Sequence, residues 1–188
     1  MTQSLIQSTV IVVGGPAGTG KTTTATALAD HFSSPFIEGD VLHPQVNVDK
    51  MSKGIPLTDD DRWDWLKTLS QQTSIASLDK DNKSNIAIVS CSMLKKVYRD
   101  YIKLNSTNHN HIRFRFVFLY TTFEELINRV ENRKGHFMKS DMVKSQYEIM
   151  EIPEGVELVS NGGDSIAIDA TGKTPEQINK EVIDSLAL

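Results

Sequence analysis

The chain reads as an α/β protein, a five-stranded parallel sheet with helices on both faces. Three observations predict it. Short apolar, β-branched runs recur along the chain, as strands covered on both faces require. Segments with helical spacing or helix-start residues separate them. The first run opens directly into a glycine-rich turn and then a helix, a strand–loop–helix unit. The length of 188 residues suits one domain, residues 1–188.

The elements follow in order. "TVIVV" (Thr9–Val13) is the first buried strand, and "TTTATALADHF" forms the helix after the glycine-rich turn. "PFIEGD" gives a short second strand, and Pro44 to Pro56 reads as irregular or weakly helical. Thr58 followed by Asp59, Asp60 and Asp61 starts a helix that runs through Trp65, Leu66 and Leu69, with acidic residues at the positive end of its dipole. "IAIVSC" (Ile86–Cys91) is the third strand. "NSTNHNH" (Asn105–His111) is a surface loop before the fourth, "RFVFLY" (Arg115–Tyr120). Thr122 and Glu125 read as a capping box for a helix with the apolar stripe Phe123, Leu126, Ile127 and Val130. "SIAIDA" is the fifth strand. Thr174, Pro175 and Gln177 open the last helix, with proline at its first position.

Composition narrows the function classes. With 39% hydrophobic and 23% charged residues the chain can build a core. A net charge of −4 without a basic tract gives no reason to expect a nucleic-acid partner. No run approaches the roughly 18 apolar residues of a membrane span, so no membrane partner is expected. "MTQSLIQSTVIVVGG" reads as the lead-in to a strand and not as a signal peptide. The single cysteine, Cys91, forms no intrachain disulfide, which fits a cytoplasmic protein.

"GPAGTGKT" (Gly15–Thr22) satisfies G-x-x-x-x-G-K-[ST], and its place between strand and helix is the context that pattern requires. This marks the P-loop NTPase fold. Gly15, Pro16, Ala17, Gly18, Thr19, Gly20, Lys21, Thr22 and Thr23 are the expected nucleotide-binding residues. The glycines let backbone N–H groups turn toward phosphate oxygens at a helix N-terminus. Lys21 reaches the β- and γ-phosphates, and the Thr22 hydroxyl holds Mg²⁺. ATP and Mg²⁺ are therefore the expected cofactors. "DATG" (Asp169–Gly172) matches a GTPase D-x-x-G but follows the fifth strand, and no [NT]-K-x-D occurs. A small-molecule or nucleotide kinase suits the chain better.

A kinase needs an acceptor pocket facing the γ-phosphate, and parallel sheets bind ligands beyond the carboxyl ends of their strands. Asp40 sits at the end of the second strand, where a carboxylate orients a hydroxyl and accepts its proton. His43 is placed to hydrogen-bond a polar acceptor. Lys95 and Arg99, at i, i+4, present one basic helix face to an anion, and Lys96 lies beside them. Arg129 and Arg133 share the same spacing ahead of a polar segment, an arrangement that suits a lid closing over ATP. Each also has a plainer reading on residue type alone. Asp40 serves as a turn residue, His43 as a structural histidine, and Arg62 as a surface partner of Asp59–Asp61. The two basic pairs serve as solvated helix faces.

Three longer blocks sharpen this. "GDVLHPQVNVDKMSKGIPLTDDDRWDWL" (Gly39–Leu66), "CSMLKKVYRDYIK" (Cys91–Lys103) and "RKGHFMKSDMVKSQYEIME" (Arg133–Glu151) resemble the signature blocks of gluconokinases. The resemblance spans roughly Val10 to Glu151. It implies ATP-dependent phosphorylation of D-gluconate to 6-phospho-D-gluconate, feeding the pentose phosphate pathway. It also implies a nucleoside-monophosphate-kinase-like fold with an acceptor-binding segment at about 40–80, a lid at about 133–150, and a homodimer. Lys21, Asp40, Arg129 and Arg133 would be catalytic. Asp40, His43, Arg62, Lys95, Arg99, His136 and Gln146 fall on motif positions and would bind substrate. Met93, Lys103, Met142, Val143 and Tyr147 depart from the usual pattern without removing a proposed catalytic group. Two other readings stand beside it: a related kinase with another acceptor, such as shikimate or a nucleoside monophosphate, and a non-catalytic ATP-binding protein.

Overall fold

The computed structural model describes residues 5–107, 109–132 and 140–188. Five parallel strands form the sheet: β1 (Ser8–Gly14), β2 (Phe36–Glu38), β3 (Ile86–Ser90), β4 (Ile112–Tyr120) and β5 (Ser165–Asp169). Their order is β2-β3-β1-β4-β5. β1 is the central strand, and its loop emerges between β3 and β4, where an open α/β sheet forms its crevice.

The helices are α1 (Lys21–Phe32), α2 (Gln45–Ser52), α3 (Asp59–Leu78), α4 (Lys96–Leu104), α5 (Phe123–Glu131), α6 (Ser140–Ile149) and α7 (Pro175–Ser185). Alternation along β1 explains the layering. Val10 and Val12 join Trp65, Leu66 and Leu69 of α3 and Tyr98 and Ile102 of α4 on one face. Ile11 and Val13 meet Leu28 of α1 and Ile178 and Val182 of α7 on the other. Side chains of period two therefore feed two cores from one strand. A smaller cluster, Leu126, Val130 and Val143, joins α5 to α6. Cys91 lies in the first core, and burial pushes its thiol up to about 12.

Local chemistry sets the helix starts. Thr58 and Asp61 form a reciprocal capping box, as do Thr174 and Gln177. Thr122 caps α5 by accepting from the Glu125 N–H, but the return bond expected of Glu125 is not made. Its carboxylate instead accepts from the Thr121 hydroxyl, the Gly172 N–H and Arg129.

The stretch between Pro44 and Pro56, read as irregular or weakly helical, contains the regular helix α2, which buries only Asn47 and so shows no apolar stripe. The fourth strand differs from the sequence reading at its start. β4 begins at Ile112 rather than Arg115, and the polar stretch before it ends in a 3₁₀ turn at His109–His111.

Arg99 is the clearest correction of the fold. Read as one arm of an exposed anion clamp, it is 2% exposed. Its guanidinium donates to the Met93 and Glu151 carbonyls at 3.1 and 3.0 Å and pairs with Glu157 at 3.0 Å. It fastens α4 to the segment after α6. Arg99→Leu would leave Glu157 and these carbonyls unmatched, with an expected loss of roughly 3–5 kcal/mol of unfolding free energy. Urea denaturation measures it, and the double variant with Glu157→Leu should recover part of the loss.

Candidate active site

The carboxyl ends of β1, β2 and β3 open on one cavity of about 330 Å³. Its floor is the phosphate loop. Gly15 holds φ at 127°, and a Cβ there would overlap the Leu119 carbonyl oxygen, so only glycine fits. The Thr19 hydroxyl donates to the Pro16 carbonyl at 2.8 Å. Lys21 Nζ donates to the Gly15 carbonyl at 2.9 Å. Ala17, Gly18, Gly20, Lys21 and Thr22 line the cavity, while Gly15 and Pro16 shape the loop behind it.

Thr22 donates its hydroxyl to Glu38 Oε2 at 3.0 Å, and Ser90 donates to Glu38 Oε1 at 2.7 Å. Glu38, at the last position of β2, went unremarked in the sequence. The signal was there: a carboxylate at a strand's carboxyl end, two residues before Asp40.

The opposite wall grows from the end of β2. Gly39 packs against β3 so closely that a Cβ would overlap the Ser90 carbonyl oxygen. Its own carbonyl accepts from the Trp65 indole N–H at 2.8 Å. Asp40 follows, solvent-exposed and on the cavity wall. His43 stacks on Trp65 with centroids 3.8 Å apart and planes 18° off parallel. Asn47, 1% exposed, directs its amide nitrogen at His43 Nδ1 (3.2 Å) and at the Asp61 carbonyl (2.7 Å). Burial lowers the His43 pKa from 6.5 to about 4; Asp40 opposes the shift and Arg62 adds to it.

Arg62 also lines the cavity, and it is buried rather than a surface partner of the three aspartates. It donates to the Tyr98 hydroxyl at 3.1 Å and to the Leu57 carbonyl at 3.2 Å, with its guanidinium over the Tyr98 ring at 5.1 Å. Tyr98 in turn donates to Asp59, which Lys95 also contacts at 3.0 Å. This chain of contacts holds Arg62 in place, leaving part of its five-donor fork for the cavity. Lys95 and Arg99 do not line the cavity. Lys96 pairs with Asp100.

Two helices reach the loop from the far side. Gln146 of α6 lines the cavity and accepts from the Ala17 N–H at 2.8 Å. Arg129 of α5 donates to the Gly18 carbonyl at 3.2 Å and pairs with Glu125. With Thr19, Thr23 and Lys173 it borders a second cavity of about 200 Å³. Arg133 and His136 lie outside the described residues. Among the described residues, no cluster of three or more His, Cys, Asp or Glu side chains forms a protein-only metal site. No helix among them is long and apolar enough to cross a membrane.

Comparison with known proteins gives this arrangement its family. A family model described as an AAA domain matches residues 11–151. The probable gluconokinase of Saccharomyces cerevisiae is 44% identical over 179 residues, covering 93% of this chain and 88% of its own. The chain belongs to the gluconokinase family. The gluconokinase of Gluconobacter oxydans is 36% identical over 183 residues, covering 97% of this chain and 93% of its own. The crystal structure of a gluconokinase from Sinorhizobium meliloti 1021 superimposes with a TM-score of 0.77 at 36% identity, covering 97% of this chain and 93% of that one.

The lowered His43 pKa ties stability to pH. Well above 6.5 the ring is neutral in the folded and unfolded chain alike. As pH falls from 6.5 toward 4, only the unfolded chain takes up the proton, so folding stability falls across that window. Urea midpoints are expected to decline there, and to decline less for His43→Gln.

Proposed function

We propose that the protein transfers the γ-phosphoryl group of ATP to D-gluconate, giving 6-phospho-D-gluconate and ADP. One observation carries the reading. A single cavity has a phosphate loop at one end and Asp40, His43 and Arg62 at the other. A polyol acid offers a row of hydroxyls and one carboxylate, and this wall offers a carboxylate, a polar ring and a guanidinium.

In this reading Arg62 binds the gluconate carboxylate, its geometry preset by Tyr98 and Leu57. Asp40 orients the terminal hydroxyl and takes its proton as the oxygen attacks the γ-phosphorus. The bond to the β–γ bridging oxygen breaks, and ADP leaves. Lys21 and Arg129, with Arg133, neutralise charge that builds on the phosphoryl oxygens. Thr22 and Glu38 are hard oxygen donors of the kind Mg²⁺ takes, and the ion bound there with the nucleotide would neutralise phosphate charge. By family likeness, the reading extends to a cytoplasmic homodimer.

A coupled ADP-release assay with ATP, Mg²⁺ and D-gluconate tests the proposal against a panel of other polyol acids, shikimate and nucleoside monophosphates. Turnover with gluconate no higher than background would sink it. Asp40→Ala is expected to lower kcat by about 10²–10⁴-fold, while nucleotide affinity, read by titration calorimetry, stays near the native value.

A further inference from the structure

We propose that Asn47 is a positioning residue that fixes His43 as its Nε2–H tautomer. His43 then acts as a neutral hydrogen-bond donor to an oxygen of the acceptor, and not as the proton acceptor of the reaction. The inference rests on the acceptor site proposed above.

Asp61 sits in the first turn of α3, where its carboxylate is held by the Thr58 N–H at 2.8 Å and by Lys50 at 2.9 Å. Its carbonyl oxygen, which can only accept, lies 2.7 Å from the Asn47 side-chain nitrogen. The opposite amide orientation would set two oxygens against each other, so the NH₂ group must face Asp61. The same NH₂ group faces His43 Nδ1 at 3.2 Å.

An amide NH₂ donates and does not accept. Nδ1 must therefore offer its lone pair, and in a neutral imidazole the proton then resides on Nε2. Protonating Nδ1 would oppose two donors at a residue that is 1% exposed. Among the described residues Nε2 has no hydrogen-bond partner, and His43 lines the cavity. The charged groups that act on the ring are Asp40 and Arg62, in opposite senses, and burial beside Trp65 keeps it neutral.

Two consequences follow for the reaction. With Nδ1 occupied and Nε2 protonated, the ring has no basic site to offer, so Asp40 is left to take the proton. The wall also contributes one donor aimed at an oxygen, which favours acceptors carrying a hydroxyl or carboxylate oxygen there.

Nitrogen-15 spectra of histidine-labelled protein test the tautomer directly, with the His43 signals assigned by their loss in His43→Gln. At neutral pH the expected pattern is a pyridine-type Nδ1 and a pyrrole-type Nε2. A protonated Nδ1 would overturn the proposal. Asn47→Leu, which removes the donor to Nδ1, is expected to let the two tautomers mix and to raise the gluconate KM; an unchanged pattern counts against Asn47. Should that variant not fold, the native spectrum and the His43 pair decide.

His43→Gln keeps an amide N–H near Nε2, whereas His43→Asn withdraws it. The gluconate KM of His43→Asn is expected to exceed that of His43→Gln by about tenfold or more, with the ATP KM moved by less than about twofold. Equal losses in the two variants would overturn the donor role. If the native protein does not turn over gluconate, the acceptor reading fails, and the nitrogen-15 pattern still decides the tautomer.

Discussion

Trp65 donates its indole N–H to the Gly39 carbonyl at 2.8 Å and stacks its ring on His43. β2 is only three residues long and lies at the sheet edge, paired with β3 alone. Three residues of pairing would hold the following turn loosely. Trp65 supplies what the strand lacks, because it is anchored in the core under the sheet with Leu66 and Leu69. The close approach of Gly39 to Ser90 completes the clasp. Asp40 and His43 therefore inherit their positions from a core residue of a different element.

The phosphate loop is held in a similar way, from outside its own strand–helix unit. α5 reaches it through Arg129 and the Gly18 carbonyl, and α6 through Gln146 and the Ala17 N–H. These two helices pack on each other through Leu126, Val130 and Val143. Glu38 joins the loop to the acceptor wall through Thr22. Through Glu38, the phosphate loop and the carboxyl ends of β2 and β3 are thus joined by a short chain of hydrogen bonds.

Much of the fold was legible because its signals are local. Thr58 and Asp61, Thr174 and Gln177, and the alternation along β1 each act over a few residues. The phosphate loop was legible for the same reason. The arginines were not, since their partners are remote in sequence. Arg62 meets Tyr98 36 positions away, and Arg99 meets Glu157 58 positions away, so neither burial could be read from neighbours. Asn47 lay in plain view, four residues after His43. α2 hid it, because a helix that buries one polar residue shows no periodic apolar face. Glu125 misled in the other direction: its spacing from Thr122 matched a local box, while tertiary partners claimed its carboxylate.

Cys91 is the only cysteine of the chain, and it is 1% exposed in the core. With its pKa pushed up to about 12, the thiolate fraction at pH 7 is on the order of 10⁻⁵. The native chain is therefore nearly silent toward thiol reagents. A cysteine introduced at an exposed position such as Val156, which is 82% exposed, would be the one reactive thiol in the molecule. The buried sulfur makes the protein a ready host for a single spectroscopic label, placed without first removing anything native.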